Sequence, residues 1–137
     1  MAQAAKSARK QPFTSALKLN VQTVESGVPL NTMSEFVSAS GVPLKDLYDI
    51  VIPARTLKHR RARHEALSPD ESDKLARVVR TFDHAVRVFG DSDRARAWLN
   101  TPKRRFDGRT PLAMLRTDIG GRIVDEMLGQ IEYGMFA

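Results

Sequence analysis

The sequence has 137 residues, of which 42% are hydrophobic and 28% are charged, proportions of a folded globular protein rather than a disordered one. It contains no cysteine, which excludes disulfides and cysteine metal sites, and no apolar run long enough to span a bilayer. The formal net charge is +6, and residues 1–66 hold ten Lys and Arg against five Asp and Glu. Positive charge concentrated in one half indicates a polyanionic partner, nucleic acid above all. Because no signal-peptide core opens the chain, we expect a cytoplasmic protein without a membrane partner.

The N-terminal part predicts a tail followed by short helices. Residues 1–11 are small, polar and basic, which is typical of a disordered tail, and the pattern just after them fits strand and helix equally. A short helix is expected from about Asn20 to Ser26, with Gly27 as its stop. The spacing of Thr32 and Glu35 predicts a capping box for the next helix, which ends at Gly41.

Two prolines, Pro43 and Pro53, each predict the first residue of a further helix. The second helix, PARTLKHRRAR, has one large apolar residue, Leu57, and no acid. Two short helices around a tight connection are typical of a helix-turn-helix. A recognition helix places its N-terminal residues at base edges and holds phosphates with nearby cations. The predicted DNA-binding residues are Arg55, Thr56 and His59 toward the bases, and Lys58, Arg60, Arg61 and Arg63 toward the phosphates.

A competing helix-turn-helix register places Gly41 in the turn. Its second helix would present Asp46 and Asp49 to the groove. Two carboxylates facing phosphate groups argue against this register, so we prefer the later one.

The C-terminal half gives the clearest helix signals. Ser68, Pro69 and Glu71 predict a capping box with proline at the first helical position, and an amphipathic helix of about six turns then runs to Gly90. On it, Asp73 with Arg77 and Asp83 with Arg87 have the spacing of ion pairs on the outer face.

Shorter elements follow. Asp91 or Ser92 caps a helix that reaches Leu99, residues 101–109 form a loop with a turn at 107–108, and Pro111 opens a helix to Arg116. A last helix runs from about Asp118 to Tyr133, with an apolar core stripe of Ile123, Val124, Met127, Leu128 and Ile131. No stretch predicts a sheet, so the fold is expected to be all-α with about seven or eight helices.

The chain continues past Glu132 as Tyr133-Gly134-Met135-Phe136-Ala137. From the residues alone, two interpretations stay open. Met135 and Phe136 fold back onto the last helix, or they serve as apolar anchors for a partner.

From Phe82 onward the sequence resembles the toxin-binding domain of Xre/MbcA/ParS-type antitoxins. The matching residues are Ala85-Val-Arg-Val-Phe-Gly90, Ala95, Ala97-Trp98-Leu99, Thr101-Pro102, Phe106-Asp-Gly108-Arg-Thr-Pro111-Leu, Leu115, Thr117-Asp-Ile-Gly120, Val124, Leu128, Ile131, Tyr133 and Gly134. Ile52 to Arg61 and Leu67 to Ser72 are similar to the DNA-binding half of the family. Val51 stands where the family commonly has glycine, which leaves the geometry of the turn open.

The resemblance implies an N-terminal helix-turn-helix DNA-binding part followed by a small helical toxin-binding domain. We place the tail at residues 1–19, the helix-turn-helix domain at 20–66 and the toxin-binding domain at 67–137. The implied toxin is of the RES type, which consumes NAD by degrading it or by transferring ADP-ribose to a target. The implied antitoxin is a homodimer within a larger toxin–antitoxin complex and represses its own operon. Its C-terminal tail blocks the active site of the toxin, which assigns toxin binding to Tyr133, Gly134, Met135, Phe136 and Ala137.

An enzyme is not expected. His59, His64 and His84 are scattered, and the sequence has no phosphate-binding loop, metal-ligand spacing or nucleophile motif. We therefore predict no catalytic residue, no cofactor and no metal. Two alternatives remain: a stand-alone helix-turn-helix regulator without a toxin, and an antitoxin that no longer binds DNA.

Overall fold

The computed structural model describes residues 11–134, and within this range the chain is helical and has no strand. This confirms the predicted all-α class. The described helices are α1 (Phe13–Ala16), α2 (Val21–Ser26), α3 (Leu30–Ser40), α4 (Leu44–Leu47), α5 (Ala54–Ala62), α6 (Pro69–Phe89), α7 (Ser92–Leu99), a 3₁₀ helix (Arg104–Phe106), α8 (Pro111–Met114) and α9 (Asp118–Glu132). The short helix α1 comes from the stretch whose pattern fitted strand and helix equally. Most of the predicted disordered tail lies outside the described residues.

Helix α6 is the element on which both halves of the described chain pack. Its apolar stripe contacts α1 and α2 on the N-terminal side and α7 and α9 on the C-terminal side. The rings of Phe13, Phe36 and Phe82 meet edge to face with centroids 5.6–5.8 Å apart. One continuous core therefore supports both parts. The predicted division between residues 66 and 67 stays a prediction, and it falls just before the helix that the two parts share.

The predicted start of α6 is confirmed in atomic detail. The Ser68 hydroxyl accepts a hydrogen bond from the Glu71 amide at 3.1 Å, and the Glu71 carboxylate accepts one from the Ser68 amide at 2.8 Å. Pro69 occupies the first helical position and Gly90 ends the helix. Local sequence settles this terminus because every group that it needs lies within four residues.

The predicted capping box at Thr32 is wrong. Helix α3 begins at Leu30 after Pro29, with no side-chain cap, and the Thr32 amide donates to the Pro29 carbonyl at 3.0 Å. Thr32 therefore lies inside the first turn and lacks the extended backbone of a cap residue. Pro43 and Pro53 were predicted as the first residues of their helices. Each is instead the N-cap residue, with extended backbone, so each helix begins one residue later.

One of the two predicted ion pairs on α6 forms. Arg77 pairs with Asp73 at 3.4 Å, yet its side chain is buried and also donates to the Leu115 carbonyl at 3.2 Å. Asp83 instead accepts hydrogen bonds from the Phe13 and Thr14 amides at 2.8 and 2.9 Å. The carboxylate thus accepts hydrogen bonds from backbone amides at the start of α1 that have no partner within the helix. These bonds contribute more to stability than an exposed ion pair would.

Helix α9 lies very close to the turn that precedes it. A Cβ on Gly120 would overlap the Met114 carbonyl oxygen, so only glycine permits this approach. The large side chains on the buried face of α9 are Val124, Met127 and Leu128. Ile123 is 42% exposed, so its predicted place in the core is wrong.

Arg96 adds a further contact between the two halves. Arg96 on α7 donates to the Ser40 carbonyl, at the C-terminal end of α3, at 2.9 Å, and to Asp93 at 2.8 Å. Its guanidinium fills the space beside Gly41, where a Cβ would lie 2.5 Å from it. Among residues 11–134, no helix combines the length and apolar character needed to cross a membrane.

Candidate functional site

The basic helix α5 rests on the core through one residue. Leu57 is buried, Thr56 is half-buried, and the remaining predicted DNA-binding residues, apart from Arg60, are exposed. The exposed set is Arg55, Lys58, His59, Arg61 and, just after the helix, Arg63. Because Leu57 is the one fully buried side chain of this helix, most of its outer surface is cationic and accessible to a polyanion.

Arg60 differs from its neighbours. Its guanidinium donates to both carboxylate oxygens of Glu71, at 3.0 to 3.3 Å, and lies 3.7 Å from Glu65. Its side chain is only 27% exposed. Since Glu71 also closes the cap of α6, Arg60 fixes the position of the basic helix on the shared helix. The phosphate contact predicted for Arg60 stays a prediction, with a carboxylate already competing for that guanidinium.

The alternative register has a weaker candidate helix. Helix α4 has four residues, against nine for α5, and its surroundings carry the half-buried Asp46 and the exposed Asp49. A four-residue helix with acids beside it offers little surface to a phosphate backbone. The helix lengths and charges favour α5 as the recognition helix.

The C-terminal end of α9 presents an aromatic side chain to solvent. Tyr133 is 81% exposed, and Gly134 follows it with a φ of +70°. A left-handed residue turns the chain away from the helix axis, and glycine adopts it without strain. Met135, Phe136 and Ala137, the rest of the predicted toxin-binding tail, lie outside the described residues.

Charged groups hold the last turn of α9 onto α6. Glu132 accepts hydrogen bonds from His84 and Arg87, each at 3.3 Å, and Asp125 lies 3.5 Å from the other ring nitrogen of His84. Desolvation opposes ionisation of Glu132, but the hydrogen bonds and positive charge of Arg87 and His84 outweigh it and lower the pKa of the carboxyl. These contacts fix the point from which the tail departs.

A second exposed apolar feature was missed by sequence reasoning. Ile119 is 72% exposed and lies one helical turn before Ile123 on α9. Both isoleucines border a groove between α9 and the preceding turn, together with Ala113, Met114, Arg109 and Arg116. The sequence does hold one indication of this exposed residue: Ile119 is as apolar as the residues of the predicted core stripe of α9 but lies outside that stripe.

No site for a metal was predicted. Among the described residues, no group of three or more His, Asp or Glu side chains is arranged to hold one.

Comparison with known proteins matches both parts of this architecture. Residues 20–80 match the antitoxin Xre-like helix-turn-helix domain, and residues 84–134 match the antitoxin Xre/MbcA/ParS C-terminal toxin-binding domain. Three similar proteins carry the name Antitoxin Xre. The Pseudomonas putida protein is 48% identical over 63% of this chain and 54% of its own length. The proteins of Yersinia enterocolitica and Photorhabdus laumondii are 30% and 33% identical, over 85% and 90% of this chain and 80% and 84% of their own lengths.

The fold and these matches define a class of protein that joins a helix-turn-helix domain to a toxin-binding domain on a shared helical core. Within that class, the chain belongs to the Xre antitoxin family. Membership of an antitoxin family indicates a binding function. It also means that the exposed features of α5 and α9 lie in the two domains in which partners are expected.

Proposed function

We propose that this chain is a cytoplasmic antitoxin that neutralises a RES-type, NAD-consuming toxin by placing residues 133–137 in the entrance of its active site. It also represses its own operon through α5, as a homodimer within a larger toxin–antitoxin complex. The observation that carries the inhibitory part is the exposed Tyr133, followed by a left-handed Gly134, at the end of the toxin-binding domain.

The geometry of this end suits insertion into a partner. Tyrosine combines a large apolar ring with a hydroxyl that forms hydrogen bonds, and such residues dominate binding energy at interfaces. The contacts of Glu132 with His84 and Arg87 hold the last turn of α9 in place. A tail that leaves a fixed helix end loses less conformational freedom on binding than one that leaves a mobile segment.

The test measures NAD consumption by the purified toxin in the presence of the full chain or of a chain that ends at Tyr133. The matched control lacks residues 1–10, which changes the length at the opposite end. We expect the control to inhibit like the full chain, and the shortened chain to bind the toxin without inhibiting it. Equal inhibition by the shortened chain would place the inhibitory contacts in the body of the domain.

The DNA-binding part rests on the exposed cations of α5. Phosphate contacts by Lys58, Arg61 and Arg63 release counterions, so affinity for operator DNA should fall steeply as salt concentration rises. A chain that binds operator but no toxin would be a stand-alone regulator. A chain that binds toxin but shows no salt-dependent operator binding would have lost the DNA function.

A further inference from the structure

The groove beside α9 is a second apolar feature of the toxin-binding domain, separate from the tail. We call it the isoleucine groove and define it by Ala113, Met114, Ile119, Ile123, Arg109 and Arg116. Its two isoleucines stand one turn apart on the outer side of α9, near the start of the helix. The tail leaves from the other end, after Glu132.

Helix α9 packs well without Ile119 and Ile123, so their exposure does not result from poor packing of the helix. Val124 and Leu128 are fully buried, and Gly120 lies directly against the Met114 carbonyl, so α9 is already anchored without them. Two neighbouring large aliphatic side chains, at 72% and 42% exposure, therefore remain outside the buried core. Contiguous exposed apolar surface with a polar rim marks an interaction site.

The rim of the groove is positively charged. Arg116 is exposed, and its guanidinium makes no hydrogen bond or ion pair with any residue between 11 and 134. Arg109 is also exposed and donates only to the Phe106 carbonyl within the same range. The lining also includes Lys74, which pairs with Asp70, and Asp49, which is the one acid among the described lining residues.

This charge pattern decides between two occupants. A two-fold dimer through the groove would bring the same patch of each copy together, and therefore two net-positive rims. Like charges across an interface are repulsive, whereas a partner with carboxylates around an apolar tip is complementary to the groove.

We propose that the isoleucine groove is a second docking site for the toxin and receives an apolar side chain of the toxin flanked by Asp or Glu. This inference rests on the proposed function, since it takes the toxin as the partner. Two surfaces of the toxin-binding domain then have different roles. The groove contributes affinity for the body of the toxin, and the tail blocks its active site.

The experiment measures the affinity of full-length variants for the product of the adjacent toxin gene by calorimetry or interferometry. Ile119→Asp places a charge in the groove, and Val21→Asp is the matched control, because Val21 is 74% exposed on α2 in the other half of the chain. We expect Ile119→Asp to weaken toxin binding by about thirtyfold or more, as for a central interface residue, and Val21→Asp to leave it unchanged. Both variants should keep wild-type helicity and operator affinity, since neither residue is buried.

A charge variant tests the rim without touching the apolar contact. Arg116→Glu should weaken toxin binding more than Arg116→Ala, and the difference should shrink at high salt, because the interaction is between exposed charges. Equal affinities of the two variants for the toxin would contradict an acidic rim on the partner.

The outcomes separate this proposal from the proposed function. If wild type binds the toxin and Ile119→Asp binds equally well, the groove proposal fails alone. If Ile119→Asp keeps toxin affinity but its mass in sedimentation falls to that of a smaller assembly, the groove joins copies of this chain and the proposal is overturned. If wild type does not bind the toxin at all, the proposed function fails and the groove proposal fails with it.

Discussion

The basic helix α5 and the C-terminal helix α9 both present exposed side chains suited to binding, but those of α5 are cationic and those of α9 are apolar or aromatic. Helix α5 touches the core through Leu57 and presents cations, whereas α9 is anchored along its length and presents Ile119, Ile123 and Tyr133. Charge acts over about a Debye length and tolerates loose positioning, while apolar contacts act only at van der Waals distance. Under the proposed function, this difference fits a helix that contacts phosphate with two anchors, Leu57 and Arg60, and a helix that contacts the toxin from a rigidly packed position.

The largest effect is expected from removing the support that the two surfaces share. Phe82 is fully buried at the centre of the Phe13–Phe36–Phe82 cluster, so Phe82→Ala should lower the free energy of unfolding by about 3–5 kcal/mol. Urea unfolding followed by helicity and by Trp98 fluorescence should shift as one transition, because the core is continuous. Loss of toxin binding with operator binding intact would show that the halves fold independently. Val21→Ala, an exposed change, serves as the control.

A smaller and one-sided effect is expected at the N-terminal end of α5. If Arg55 makes a bidentate contact to a base, Arg55→Ala should relax preference at one operator position by about 1–3 kcal/mol and leave toxin binding unchanged. Competition between operator variants that differ at single positions measures this. A uniform loss across all sequences would mean that Arg55 contacts phosphate.

Arg60 and Arg61 offer a matched pair of neighbouring cations. Arg61→Ala should weaken operator binding and reduce the salt dependence by about one phosphate contact. Arg60→Ala should also weaken binding to every sequence, through loss of about 1.5 kcal/mol from the contact with Glu71, but leave the salt slope unchanged. A reduced slope for Arg60→Ala would instead confirm the phosphate contact predicted from the sequence.

The smallest effect concerns pH and the last turn of α9. The pKa of Glu132 is lowered in the folded chain, so its ionised form stabilises the fold above its ordinary value of 4.5, and this contribution is lost as pH falls through the folded pKa. Thermal unfolding of wild type and Glu132→Gln should therefore differ most near neutral pH, and the difference should disappear in acid. A constant difference across this range would assign the effect of the substitution to causes other than ionisation.

The features that were predictable from the sequence are those whose partners lie nearby along the chain. The Ser68–Glu71 box and the stop at Gly90 need only residues within one turn, and the basic character of α5 is visible directly. The capping box predicted at Thr32 is wrong because Pro29 takes the N-cap position and α3 begins at Leu30. Periodicity places Ile123 in the core stripe of α9, but it does not give the width of the buried face. In the structure Ile123 is 42% exposed, and Gly120 packs directly against the Met114 carbonyl.

Long-range contacts could not be predicted at all. Arg96 reaches a carbonyl 56 residues earlier, and Asp83 caps a helix about 70 residues earlier. Nothing in the local spacing distinguishes these side chains from ordinary surface charges. The contact of Arg60 with Glu71 could not be predicted for the same reason, because nothing in the basic sequence around Arg60 indicates which carboxylate it will bind.

The shared helix α6 also bears on how long the protein lasts in a cell. Because the core on its two sides is continuous, global opening of the chain exposes both domains to proteolysis in a single event. If the chain both inhibits the toxin and represses its operon, as proposed, degradation removes the two activities together. Under the proposed function, the lifetime of this one fold sets the timing of both toxin release and renewed transcription.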